Sequence, residues 1–73
     1  MAESVIESKV AGSVWKVLVQ VGQSVGPDDE LIIVESMKME IPVQAERNGV
    51  ITEILVAEQD VIAEGQPLIR VEY

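Results

Sequence analysis

Seventy-three residues suffice for one small domain that buries only about 60% of its extended-chain surface. With no cysteine and no histidine, the chain excludes disulfides, thiolate metal sites and both Ser-His-Asp and Cys-His nucleophilic arrangements, so it is not expected to be an enzyme on its own. A net charge of −8, with one Trp, one Tyr and no Phe, repels phosphate backbones and anionic lipid and offers no platform for base stacking. No nucleic-acid or membrane partner is therefore expected.

Val and Ile together number 21 against four Leu, and such β-branched enrichment favours strands over helices. In chain order the pattern predicts strands at Val5–Ser8, Val14–Val19, Leu31–Glu35, Met39–Val43, Val50–Val56 and Leu68–Val71. They are separated by the turn signals VGQS, GPDDE, RNG and AEGQP. Pro42 cannot donate to a ladder, so its strand is expected to be an edge or to end there. Asn48-Gly49 reads as a tight hairpin, because both residues tolerate positive φ. The acidic run Asp28–Glu30 lacks calcium-loop spacing and reads as a solvated turn. The amino terminus MAESVIESKV has neither the basic start nor the apolar stretch of a secretion signal. No apolar run approaches the roughly 18 residues of a membrane span. The cytoplasm is the expected location, and the Met1-Ala2 start reads as that of a free subunit, one domain over residues 1–73.

An internal repeat organises these strands. Shifting the chain by 37 residues aligns its halves without a gap, and eight of the 36 pairs are identical: Glu3/Glu40, Gly12/Gly49, Leu18/Leu55, Val19/Val56, Leu31/Leu68, Ile32/Ile69, Val34/Val71 and Glu35/Glu72. Four further pairs exchange one β-branched aliphatic for another: Ile6/Val43, Val14/Ile51, Val17/Ile54 and Val25/Ile62. A duplicated β-unit with a pseudo-twofold axis is the reading. Trp15 pairs with Thr52 at a half-exposed strand position and reads as packing.

The repeat also singles out VESMKMEIPV, Val34 to Val43. Lys38 pairs with Met1 and Ser36 with Tyr73, so the turn at Met37-Lys38 falls where the other copy begins and ends. The hairpin tip is expected opposite both termini, with Lys38 presented on it. Lys9 and Lys16 pair with Glu46 and Glu53 at ordinary outward positions and read as solvated surface charges. Met37 and Met39 would be exposed at that tip, where flexible thioethers suit a surface gripped by another protein.

ESMKMEIPV resembles the attachment motif of biotinyl domains, the carrier modules of biotin-dependent carboxylases. AGSVWKVLVQVGQSV and NGVITEILVAEQDVIAEGQPLIRVE resemble the same family, including its short free-standing biotin/lipoyl attachment proteins from bacteria, so the likeness covers nearly the whole chain. It implies an all-β flattened barrel or sandwich of two small antiparallel sheets, of the hammerhead type. It implies that biotin is the cofactor, amide-linked to Lys38, with Met37, Met39 and Glu35 as flanks recognised by a biotin protein ligase. An unprotonated ε-amine would attack an activated acyl-adenylate there, and a tight hairpin holds the amine without the cost of ordering a loose loop. The loaded domain, monomeric when free, would ferry carboxylate between biotin carboxylase and carboxyltransferase subunits, the cofactor supplying the chemistry and the protein the reach. Lipoate on the same lysine, in an oxoacid dehydrogenase complex, is the alternative. Lipoyl domains typically show Asp-Lys-Ala where this chain has Met37-Lys38-Met39, which favours biotin. An unmodified interaction module on the same fold is a third reading. Asp28 and Gln59 depart from the family pattern, standing where it usually has glycine, so their loops are expected to differ locally. The gapless repeat leaves no room for the protruding thumb of some acetyl-CoA carboxylase biotinyl domains.

Overall fold

The computed structural model describes residues 2–73, and Met1 lies outside the described residues. Eight strands form in chain order: β1 (Glu3–Glu7), β2 (Gly12–Val17), β3 (Ser24–Val25), β4 (Glu30–Ser36), β5 (Met39–Gln44), β6 (Gly49–Ile54), β7 (Val61–Ile62) and β8 (Pro67–Glu72). They make two antiparallel four-stranded sheets, ordered β1-β8-β6-β3 and β5-β4-β2-β7. A shift of 37 residues carries each strand of the first sheet onto the strand in the same place in the second, so the repeat is the architecture.

The core obeys the same symmetry. Among the described residues the buried set is Val14/Ile51, Val19/Val56, Val25/Ile62, Leu31/Leu68, Ile32/Ile69, Val34/Val71 and Ser8/Ala45, every member paired with its repeat mate. Ser8, the polar member, donates its hydroxyl to the Val10 carbonyl at 2.6 Å, so its burial leaves no unmet donor. Bulges recur at equivalent points, between Val14 and Lys16 in β2 and between Ile51 and Glu53 in β6. Loop hydrogen bonds do too. Leu18 N donates to Leu31 O and Leu55 N to Leu68 O, both at 2.9 Å. The Gln23 side chain accepts from Gln20 N at 3.1 Å, as the Asp60 carboxylate accepts from Ala57 N at 2.9 Å.

Gly12 and Gly49, identical under the repeat, are needed for close approach. A Cβ on Gly12 would run into the Glu35 carbonyl oxygen, and one on Gly49 would sit 2.7 Å from the Glu72 carbonyl oxygen. A side chain at either position would force β2 off β4 or β6 off β8.

Several sequence expectations need adjustment. The two-residue strands β3 and β7 are absent from the predicted set, because two apolar residues between turns carry no periodic signal. Pro42 does lie on an edge strand, β5. Asn48-Gly49 makes no hairpin. The chain there passes from β5 in one sheet to β6 in the other, Ala45 is buried on the way, and neither Asn48 nor Gly49 has positive φ. Trp15 is 44% exposed and lies outside the core cluster, its ring face covered by the Lys16 ammonium at 5.3 Å. The two glycine departures behave differently. Gln59 takes φ +77, matching the +91 of its mate Gly22, so that loop keeps its shape against side-chain preference. Asp28 stays out of the left-handed region that its mate Gly65 occupies at φ +85, so the backbone differs at that residue, while the turn bonds Asp29 N to Gly26 O and Gln66 N to Ala63 O match at 3.1 Å.

Candidate functional site: a strained hairpin presenting Lys38

The site is the β4–β5 hairpin. Glu35 pairs with Glu40 and Ser36 with Met39, which leaves Met37 and Lys38 as a two-residue turn. Both have positive φ, +52 and +65, the backbone of a type I′ turn. That turn ordinarily takes Asn and Gly, and each left-handed residue bearing an ordinary side chain costs on the order of 1 kcal/mol. The register of β4 and β5, unbroken from Ile32/Val43 to Ser36/Met39, imposes this conformation on residues that would not choose it.

The base of the hairpin is held from behind. The Ser36 hydroxyl donates to the Ala11 carbonyl at 2.8 Å, and Gly12 packs against the Glu35–Ser36 backbone. Neither Ser36 nor Gly12 stands out as a site residue in the sequence, although the Gly12/Gly49 identity is a signal for the second. At the equivalent place in the other sheet, Tyr73 N donates to the Ala2 carbonyl at 2.9 Å, so the two chain ends pair where a turn would otherwise close.

The turn exposes what it carries. Met37 is 92% exposed, Met39 61%, and Lys38, Glu35 and Glu40 are exposed as well. The ion pairs among the described residues, Arg70 with Glu3 and with Glu53, each at 3.3 Å, leave Lys38 without a partner. The structure thus brings all four residues picked out by sequence, Glu35, Met37, Lys38 and Met39, onto one hairpin. None of them lines the groove of about 500 Å³ that runs between the edge strands β1 and β5. The arrangement therefore offers an accessible amine in the open and not an enclosed pocket. Among the described residues no cluster of acidic side chains is placed to hold a metal ion, and no helix is long and apolar enough to cross a membrane.

Comparison with known proteins agrees with this geometry. The family model described as "Biotin-requiring enzyme", the biotin/lipoyl model, matches residues 2–71. The biotin/lipoyl attachment protein of Bacillus subtilis is 40% identical over 65 residues, 89% of each chain. The chain belongs to the biotin/lipoyl attachment family. A second member, pyruvate carboxylase of Staphylococcus aureus, is 44% identical over 67 residues; the match takes 92% of this chain but 6% of that enzyme. The solved lipoyl domain of the 2-oxoglutarate dehydrogenase complex of Azotobacter vinelandii superposes with a TM-score of 0.77 at 28% identity, covering 93% of this chain and 96% of that one. The all-β sandwich expected from the family is the fold observed.

The attached group fits the residues present. A tethered cofactor needs an accessible amine on a rigid support, and Lys38 is exposed, free of ion pairs and held by a turn of fixed conformation. No cavity has to enclose a group that works inside other proteins' sites.

Proposed function

We propose that this protein is a biotin carrier in which Lys38 is the attachment residue. A biotin protein ligase would present the activated acyl group, the Lys38 Nζ would attack its carbonyl carbon, and the adenylate would leave as the amine loses a proton. Once attached, biotin supplies a ring nitrogen that accepts and releases carboxylate. The protein supplies an anchor of fixed direction and a surface recognised by the enzymes it visits. Those partners are the biotin carboxylase and carboxyltransferase of a biotin-dependent carboxylase, reached in the cytoplasm by a monomeric carrier. The observation that carries the reading is the left-handed Met37-Lys38 pair, which lifts an unpaired lysine and an exposed thioether clear of the sheet.

The lipoyl alternative shares the fold and the lysine, as the Azotobacter domain illustrates. The flanks favour biotin, because the side chains beside Lys38 are two exposed methionines where lipoyl domains place a carboxylate and a methyl group. Intact-mass measurement after incubation with biotin ligase, biotin and ATP is expected to show one added biotin, mapped to Lys38. A lipoate ligase with lipoate forms the parallel arm. Mass gained only in that arm would overturn the biotin reading, and mass gained in neither would favour an unmodified interaction module.

A further inference from the structure

The pseudo-twofold makes each sheet a control for the other, and their outer faces differ at one decisive place. Each sheet carries a cross-strand pair of like charges near its open or closed end: Glu3 opposite Glu72 between β1 and β8, and Glu35 opposite Glu40 between β4 and β5. These are repeat mates, identical in residue type, and directly opposed carboxylates destabilise a ladder. In the first sheet Arg70 relieves the conflict, bridging Glu3 and Glu53 at 3.3 Å each, while the Thr52 hydroxyl adds a 3.2 Å bond to Glu3. In the sheet that carries Lys38 the mate of Arg70 is Ile33 and the mate of Thr52 is Trp15. No cation bridges Glu35 or Glu40 among the described residues. Ile33 pairs with Pro42 on one side and Lys16 on the other, beside the 44% exposed indole of Trp15. The face that compensates its own charges in one copy presents, in the other, carboxylates without an ion-pair partner beside apolar side chains, with its one cation among the described residues, Lys16, lying over the Trp15 ring rather than on Glu35 or Glu40.

We infer that the outer face of the β5-β4-β2 sheet is the docking surface for the biotin protein ligase. The ligase would lay an apolar patch on Ile33 and Trp15 and insert an Arg or Lys between Glu35 and Glu40, in the role that Arg70 plays on the opposite sheet. The inference rests on the carrier reading of Lys38. It adds that recognition extends beyond the hairpin. An enzyme acting on the Lys38 Nζ itself must surround the turn, and the Glu35/Glu40 pair is the first outward row below it. Ile33 follows about 7 Å further on, two residues along the strand and therefore on the same face. Unpaired carboxylates beside an exposed aromatic and an aliphatic side chain match the usual anatomy of an interface, an apolar anchor with a charged rim.

The symmetry also supplies the test, since residues tolerated on one sheet can be moved to the other. Ile33→Arg and, separately, Trp15→Thr install the first sheet's residues on the second, and Arg70→Ile on the first sheet is the control. Biotinylation is followed with purified ligase, biotin and ATP over a range of domain concentrations, with the unfolding midpoint measured for each variant. Ile33→Arg is expected to hold or raise the midpoint while raising KM at least about tenfold, with the loss in KM and not kcat. Trp15→Thr is expected to raise KM in the same direction, and Arg70→Ile to leave KM within about twofold while lowering the midpoint. A merely structural role would move KM and midpoint together. Normal KM in both Ile33→Arg and Trp15→Thr, with the parent domain loaded as usual, overturns the docking face alone. A parent that takes up no biotin overturns the carrier reading and this surface with it. Should Ile33→Arg fail to fold, Trp15→Thr at its exposed position decides the matter.

Discussion

Replacing Met37 with Asp and Met39 with Ala separates what holds the fold from what a partner reads. A methionine buried in the core loses about 2–5 kcal/mol on truncation to Ala. Met37 and Met39 are 92% and 61% exposed, so almost none of that burial exists to be lost at Met37 and only a minor part of it at Met39. Aspartate also tolerates the left-handed region better than methionine, which offsets part of the repulsion from Glu35 and Glu40. The net change is expected within about 0.5 kcal/mol, the usual size for surface substitutions. For a domain of this length that is about 2–4 °C in Tm. Against this small effect, kcat/KM for biotin incorporation is expected to fall at least about tenfold, because an apolar grip is replaced by a carboxylate beside the target amine. Lipoate incorporation, whose usual tripeptide context the variant resembles, is expected to rise. The two assays are run on the same preparation: biotin incorporation by purified ligase, and a denaturant titration. Undiminished biotinylation would remove the methionines from the recognition site. Loss of cooperative unfolding would return them to the core, and the argument from exposure would be wrong.

Lys38→Ala is expected to shift stability by no more than about 0.5 kcal/mol yet abolish added mass, whereas Lys9→Ala and Lys16→Ala should keep it; label found on Lys9 or Lys16 would contradict the repeat argument. Biotinylation removes one positive charge, taking the net charge from −8 to −9, which native electrophoresis or ion exchange would resolve. Gly12→Ala and Gly49→Ala are each expected to cost about 1–3 kcal/mol, read as a fall in the denaturant midpoint, since the new methyl group meets backbone in both cases. Gln59→Gly is expected to stabilise by up to about 1 kcal/mol by relieving a left-handed glutamine, while Asp28→Gly, at ordinary φ, should destabilise by about 0.5–1 kcal/mol; equal effects at the two loops would refute the backbone assignment.

Much of this architecture was legible because duplication leaves a trace that strand propensity does not. The 37-residue register names the core, and each buried residue has its mate at that spacing. The exposed position of Lys38 follows from the same register and from no property of lysine. Local turn chemistry was the poorer guide. Asn48-Gly49 carries the strongest hairpin signal in the chain, but the burial of Ala45 and the crossing between sheets override it. The real two-residue turn is written Met-Lys, a pair with no turn preference, so its left-handed backbone was invisible until the β4–β5 register fixed it. The strands β3 and β7 escaped for a different reason, being too short to show any period. Ile33 against Arg70 was visible as a mismatched pair, but its meaning needed the Arg70 bridges in space.

The hairpin holds one choice that the fold does not explain, and that choice points outward. A type I′ turn asks for Asn or Gly at both central positions. Lysine at the second is required if that residue is the attachment point, so its strain is a condition of the chemistry. Nothing of that kind binds position 37. Asparagine there would relieve on the order of 1 kcal/mol, would cost no burial at a residue 92% exposed, and would leave the Ser36–Met39 pairing intact. Methionine is therefore held against both the turn's preference and the aversion of an exposed thioether for water. Local stability disfavours it and the core has no use for it, which is the pattern expected if, as proposed, a partner's surface grips the hairpin from outside.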